Sequence, residues 1–314
     1  MKAVRFHEFG GPEVLRYEDV EQPVPAAGEV LVRVAATTFN PVEGNIRLGV
    51  MQGAIPVDLP HTPGYDVAGT VDALGEGVRG VDVGDEVVGF LPMTKAGAAA
   101  EHVIAPAAAL TPAPKSIPLA DAAALPSVAL TAYQALFDHG RLKSGQRVLV
   151  NGAGGPVGGY AVQLAKQAGS HVIATAGPRS TEAVRSAGAD EIVDHTTTSV
   201  LAAVTEQVDL VLNLAPVDPA VLARLVTLVR PGGVVVNTTI WMPAPTDEDR
   251  DVRGINLYVR SDADQLAKLV GLVDSGDLRV DVAQRVPLAD LPEIHARAAA
   301  GGLHGKVVLL APGA

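Results

Sequence analysis

The stretch from Arg147 to Gly169, RVLVNGAGGPVGGYAVQLAKQAG, gathers the residue types that can hold a charged ligand. An apolar strand runs into closely spaced glycines and then into a helix. Glycines let the backbone approach a pyrophosphate, and a helix N-terminus offers free N–H groups and the positive end of a dipole. The strict G-x-G-x-x-G spacing is not met, because counting from Gly152 ends on Val157 and counting from Gly154 puts Pro156 at the middle glycine. The register that works is A-x-G-x-x-G on Ala153, Gly155 and Gly158. Pro156 removes one donor, yet proline suits a first helical turn. Gly152, Ala153, Gly154, Gly155, Pro156, Val157 and Gly158 are thus the candidate pyrophosphate site, and an ordinary glycine-rich turn is the alternative.

The next strand, HVIATAGPRS, bears on the choice of cofactor. An NAD site carries an acid about 20 residues after the first glycine, to bind the ribose 2′-hydroxyl. Here Thr175 lies in the strand, Gly177, Arg179 and Ser180 follow it, and the first acid is Glu182, inside the following helix. A guanidinium beside a small hydroxyl matches a 2′-phosphate in charge and geometry, which favours NADPH. Arg179 as a solvated loop residue is the competing reading.

These motifs need elements to hold them. Residues 1–110 read as short strands cut by Gly and Pro (KAVRF, EVLVRVAATTFN, DVAGTVDAL, DEVVGF, AEHVIAP), an all-β, barrel-like pattern. From Asp121 apolar strands alternate with amphipathic helices, as in a parallel, doubly wound sheet. GKVVLLAP, after a polar helix, is a lone strand able to return to the β domain. Two domains suit 314 residues. The expected division is 1–118, completed by 286–314, and 119–285.

Lys plus Arg number 24 against 35 Asp plus Glu, a net charge of −11 without any basic run, which speaks against nucleic acid. No window of about 20 apolar residues offers a membrane span. The N-terminal MKAVRFHEFG lacks a secretory core, so a cytoplasmic protein is expected. With no cysteine, disulfides, thiolate nucleophiles and sulfur-ligated metals are excluded.

Six segments in order, NPVEGNIRLG, TPGYDVAGTVDALGEGV with VDVGDEVVGF, LTAYQAL, NGAGGPVG, SAGADEIVDH and GGLHGKVVLL, resemble the medium-chain dehydrogenase/reductase superfamily. The likeness is to its zinc-free, NADPH-dependent quinone oxidoreductase branch, the zeta-crystallin relatives. It implies an α/β chain: a GroES-like β-barrel domain plus a Rossmann doubly wound parallel sheet domain, the active site in the interdomain cleft. It also implies a homodimer and a small-molecule quinone or enone acceptor, with no membrane partner. Asn40 and Tyr65 stand where zinc relatives carry metal ligands, so no metal is expected, and His61 nearby reads as structural.

By the same resemblance Asn40, Tyr65 and Thr131 are the candidate catalytic residues, with Asn40 and Thr131 also touching the nicotinamide side of the cofactor. Asn40 before Pro41 has a second reading as a turn cap. The family pattern NPVD-x-K-x-R has become NPVEGNIR, with Glu43 for the aspartate and Asn45 for the lysine. Those two residues join Tyr65 and Trp241 as expected pocket residues, Trp241 having core packing as its alternative. His195 is placed near the adenosine phosphate or simply ends a strand. Asn213 and Ala215 with Pro216, and Thr238 with Thr239, end strands beside the cofactor. The acidic PTDEDRDVRG reads as a mobile solvated loop, with a lid as one role for it, and Lys306 as solvation of a sheet edge. An enoyl-thioester or other biosynthetic reductase is the nearest rival, and a noncatalytic NADPH-binding structural or RNA-associated protein is a rival of another class.

Overall fold

Apolar runs broken by turn residues become most of the strands in a computed structural model that describes residues 1–239 and 241–313. The first part contains β1 (Lys2–Phe6), β2 (Leu15–Asp19), β3 (Glu29–Thr38), α1 (Pro41–Arg47), β4 (Asp66–Leu74), β5 (Glu86–Phe90), β6 (His102–Pro106), β7 (Leu110–Pro112) and α2 (Leu119–Ala122). Next come α3 (Pro126–Tyr133), β8 (Arg147–Asn151), α4 (Pro156–Gln167), β9 (His171–Ala176), α5 (Thr181–Ser186), β10 (Glu191–Asp194), α6 (Val200–Ala203), β11 (Val208–Asn213), α7 (Pro219–Leu225), β12 (Val229–Asn237) and β13 (Arg253–Asn256). The chain closes with α8 (Ala263–Asp274), β14 (Gln284–Pro287), α9 (Leu291–Ala299) and β15 (Val307–Leu310).

Two compact units result, Met1–Ser127 with Ser261–Ala314, and Val128–Arg260. The β unit reaches further at both joints than the change in texture implies, since α2 packs on β3 and β4 while α8 packs on β7. Its larger sheet runs β14-β15-β3-β4-β5-β7, with β6 also pairing β3. GKVVLLAP returns to this unit as expected, β15 lying antiparallel to β3 and parallel to β14. Inward valines of alternating strands, among them Val30, Val32, Val67, Val71 and Val103, fill its core.

The second unit is an all-parallel sheet of order β10-β9-β8-β11-β12-β13. Renumbered from its first strand this is 3-2-1-4-5-6, the Rossmann order, with its topological switch between β8 and β11. Both faces are covered, which explains the unbroken apolar runs VLV, VIATA and VVV. The expected strand GGVVVNTTI ends at Asn237, and its Ile240 lies outside the described residues.

The acidic segment after Trp241, expected as a mobile solvated loop, is tied to the Rossmann unit. Arg250 holds Asp247 at 2.7 Å and donates to the carbonyls of Val226 and Val229 at 2.9 and 2.8 Å. Asp247 also bridges Val252 just before β13. Among the described residues no helix is long and apolar enough to cross a membrane.

Candidate active site

In the second unit the strand–turn–helix motif takes the form its sequence requires. Gly152 leaves β8 with φ +94°, a left-handed conformation that favours glycine, and a Cβ there would come within 3.0 Å of the Ala215 amide. Ala153 is buried and donates its N–H to the Thr175 carbonyl at 3.1 Å. Gly155 is the N-cap of α4, and Pro156 opens the helix. Past Pro156 the first-turn N–H groups of Val157 and Gly158 have no acceptor within the helix. A Cβ at Gly158 would lie 2.5 Å from Ala153 Cα, and one at Gly154 would overlap the Ser180 hydroxyl. These observations fit a dinucleotide pyrophosphate, because backbone is exposed where side chains are excluded.

At the end of β9 the structure gathers Gly177, Ser180 and His195. Ser180 and Gly177 bond each other through the serine hydroxyl at 3.3 Å, and His195 Nε2 lies 3.2 Å from where a Gly177 Cβ would be. Arg179 is exposed on this loop. Glu182, the first acid in sequence, pairs with Arg185 on the surface of α5. Thr175 is buried, and its hydroxyl accepts from Gly152 N–H at 2.8 Å and donates to Asn151 Oδ1 at 2.9 Å.

Asn213 is wholly buried. Its amide donates to the Ala215 carbonyl at 3.1 Å, and its backbone carbonyl accepts from Thr238 N–H at 3.0 Å. Thr238 and Thr239 are half-buried at the end of β12, and Thr131 is half-buried on α3. Trp241 is 62% exposed, which removes core packing as its role.

In the β unit the expected site residues turn out to be a buried polar network. Asn40 is the N-cap of α1, so the capping reading is realised: Glu43 Oε1 accepts from its backbone N–H at 3.2 Å. The Asn40 side chain is also engaged on both ends. Its oxygen accepts from Lys306 Nζ at 2.7 Å and lies 3.3 Å from Ser127 Oγ, whose proton it shares with Asp66, and its NH2 donates to Asp66 at 2.9 Å and Glu43 at 3.4 Å. Asp66, with no exposure, receives Thr38 Oγ1 at 2.5 Å, Ser127 N–H at 2.7 Å, Ser127 Oγ at 2.8 Å and Lys306 Nζ at 3.2 Å. Burial opposes its ionisation, but the Lys306 ammonium and the donors from Thr38, Asn40 and Ser127 outweigh it and hold the carboxyl below its usual range.

Three expectations change here. Lys306 is buried rather than solvating an edge, because it supplies the countercharge to Asp66. Glu43 is buried at 1% exposure and not on a pocket wall; burial and the charge on Asp66 push its carboxyl up to about 8 despite Lys306. Tyr65, also at 1%, is core, its hydroxyl 2.9 Å from His61 Nε2, and burial raises its phenol well above the ordinary range. His61 is buried against that hydroxyl, and burial lowers it to about 4. Asn45 stays half-buried on α1, where Arg47 anchors the helix by donating to the Gly10 carbonyl at 2.7 Å.

Asp66, Ser127, Asn151 and Asn237 escaped sequence reasoning, which assigns Lys306 only an edge role. For the asparagines a signal existed, since VLVN, VLN and VVVN each end a strand on the same residue. Where zinc relatives place metal ligands, this chain has an amide bound to an ammonium and a phenol bound to an imidazole, a donor set that does not fit zinc. Among the described residues no three His, Cys, Asp or Glu gather to hold a metal ion.

Residues 26–115 match the alcohol dehydrogenase GroES-like domain, and 187–309 match the zinc-binding dehydrogenase family. The chain is 32% identical to the chloroplast envelope quinone oxidoreductase homolog of Arabidopsis thaliana, over 98% of both sequences. Among solved structures it is similar to the quinone oxidoreductase from Coxiella burnetii, with TM-score 0.89, 28% identity and 99% of both chains covered. It is likewise similar to the Escherichia coli quinone oxidoreductase complexed with NADPH, with TM-score 0.87, 25% identity and coverage of 99% of this chain and 100% of that one. With a GroES-like unit, a Rossmann unit and relatives matched along nearly its whole length, the chain belongs to the medium-chain dehydrogenase/reductase superfamily, among its quinone oxidoreductases.

Proposed function

We propose that the protein is an NADPH-dependent, zinc-independent oxidoreductase that reduces a quinone or an α,β-unsaturated carbonyl compound. The observation that carries the cofactor choice is the loop after β9, where Gly177, Arg179 and Ser180 stand with His195 beside Gly177 and the sequence has no acid from His171 to Thr181. Gly152 to Gly158 would hold the pyrophosphate and the Arg179 fork the 2′-phosphate. Thr131, with the backbone of Ala215, Thr238 and Thr239, would orient the nicotinamide. When bound, the reduced nicotinamide supplies a hydride. One hydride and one solvent proton convert the quinone to its hydroquinone, or saturate an enone, and leave NADP+. This chemistry asks mainly for proximity and exclusion of water from the protein. Asn40 then acts through the network it caps, since its amide is already engaged by four partners.

The test is steady-state oxidation of NADPH and NADH against a panel of quinones and enones, repeated after chelator treatment. Turnover with NADPH that survives the chelator is expected. Arg179→Ala should raise the KM for NADPH about tenfold and leave that for NADH little changed. Failure of every acceptor to stimulate oxidation overturns the enzyme reading, and equal losses for both cofactors remove the phosphate assignment.

A further inference from the structure

The carboxyl ends of four adjacent parallel strands are joined by side chains. Asn151 ends β8, Asn213 ends β11 and Asn237 ends β12, and the sheet register sets Asn213 opposite both of the others. Thr175 follows Ala174, the β9 partner of Val150. All four are buried, from 4% exposed for Asn151 to 0% for Asn213. Thr175 Oγ1 donates to Asn151 Oδ1 at 2.9 Å, Asn151 Nδ2 to Asn213 Oδ1 at 2.7 Å, and Asn213 Nδ2 to Asn237 Oδ1 at 2.8 Å.

The ends fix the sense of the file. At one end Gly152 N–H, which can only donate, binds Thr175 Oγ1. At the other, Asn237 Nδ2 binds the carbonyls of Thr239 at 3.1 Å and Met242 at 2.7 Å, which can only accept. Thr239 Oγ1 returns a bond to Asn237 Oδ1 at 2.7 Å. Every amide between these ends is therefore oriented one way, and bonds aligned head to tail polarise and strengthen one another. The Asn151 to Asn213 bond crosses the topological switch point, where ligands of such sheets bind. An apolar residue at these positions would satisfy packing, so a polar file specifies geometry.

We propose that Thr175, Asn151, Asn213 and Asn237 are positioning residues that fix the turn carrying Thr239, Trp241 and Met242 relative to the glycine turn, and so align the nicotinamide half of the cofactor. This rests on the cofactor reading above. Asn213 and Asn237 are too deeply buried to touch the cofactor, and they act through the two turns.

The experiment compares NADPH with 2′,5′-ADP, which has no nicotinamide, and follows the anisotropy of Trp241, the only tryptophan in the chain. Asn237→Asp keeps the shape but cannot donate while ionised. It should weaken NADPH about tenfold and 2′,5′-ADP less than about twofold at roughly pH 8, with lower Trp241 anisotropy in the ligand-free protein. Lowering the pH protonates the buried carboxyl, restores one donor and should narrow the NADPH deficit. Should that variant fold poorly, Thr239→Val, with Thr239→Ser as the rescue, asks the same question at a half-buried site. Equal loss of both ligands, no loss of either, or unchanged anisotropy overturns the proposal. A native chain that binds neither ligand overturns the cofactor reading instead, and the anisotropy alone then decides whether the file positions the turn.

Discussion

At the scale of single residues, the most consequential side chain outside the Rossmann unit is Lys306. It is the cation of a buried pair with Asp66, and four neutral hydrogen bonds, from Thr38, Asn40 and the backbone and hydroxyl of Ser127, complete the carboxylate's coordination. Removing one member of such a pair leaves an uncompensated charge, a loss of about 3–5 kcal/mol, whereas removing both charges is far milder. Lys306→Met should therefore lower the urea midpoint sharply, and Lys306→Met combined with Asp66→Asn should recover much of the loss. Additive losses in the double variant would show that the two residues stabilise the unit independently. This cluster was illegible in the sequence because it joins residues 38, 40, 66, 127 and 306, with the Asn40 to Lys306 contact spanning 266 positions. The glycine turn was legible because its logic is local.

At the scale of elements, α4 is placed by one contact that admits no side chain. Gly158 faces the Ala153 backbone, and a Cβ there must displace either the helix or the turn. Gly158→Ala should consequently weaken NADPH at least about tenfold while the unit still folds, measured by binding titration beside a thermal melt. Unchanged affinity would mean that the helix is not seated by this contact. Strands buried on both faces declared themselves as apolar runs, and β8, β9, β11 and most of β12 fall where expected. The edge strands β2 and β14, reading LRYED and QRVP, were not visible, because charged, half-exposed sequences become strands only by pairing with a neighbour. The helix α8 carried a readable signal in Asp262, whose side chain accepts from Gln265 N–H at 2.9 Å and caps it. The segment 245–254 misled because composition shows charge but not the carbonyls that Arg250 reaches.

At the scale of the whole molecule, buried titratable groups set opposing slopes in the pH dependence of stability. His61 and His295 are lowered from 6.5 to about 4 and about 3, both chiefly by burial and His295 further by Arg47. The unfolded chain then binds more protons below pH 6.5, so stability is lost as the pH falls below that value. Asp66, held below its usual range, adds to the loss in strong acid. Glu43 works in the other direction, because the folded chain keeps a proton that the unfolded chain releases, and stability declines from 4.5 up to about 8. The unfolding midpoint should peak near about pH 6.5, and Glu43→Gln should flatten the decline on the alkaline side by up to a few kcal/mol. An alkaline slope identical to that of the native chain would exclude Glu43 as its source.

The return of β15 to the β unit also sets an order of events during synthesis. The Rossmann unit is one continuous run from Val128 to Arg260, so all its strands have been translated before β15 exists. The other unit is begun first yet finished last, since β15 must slot between β14 and β3, and Lys306 must arrive before Asp66 has its countercharge. A nascent chain thus carries a waiting, incompletely neutralised half while its later-made half folds, and the ribosome delivers the closing ammonium only after the whole Rossmann unit has been made.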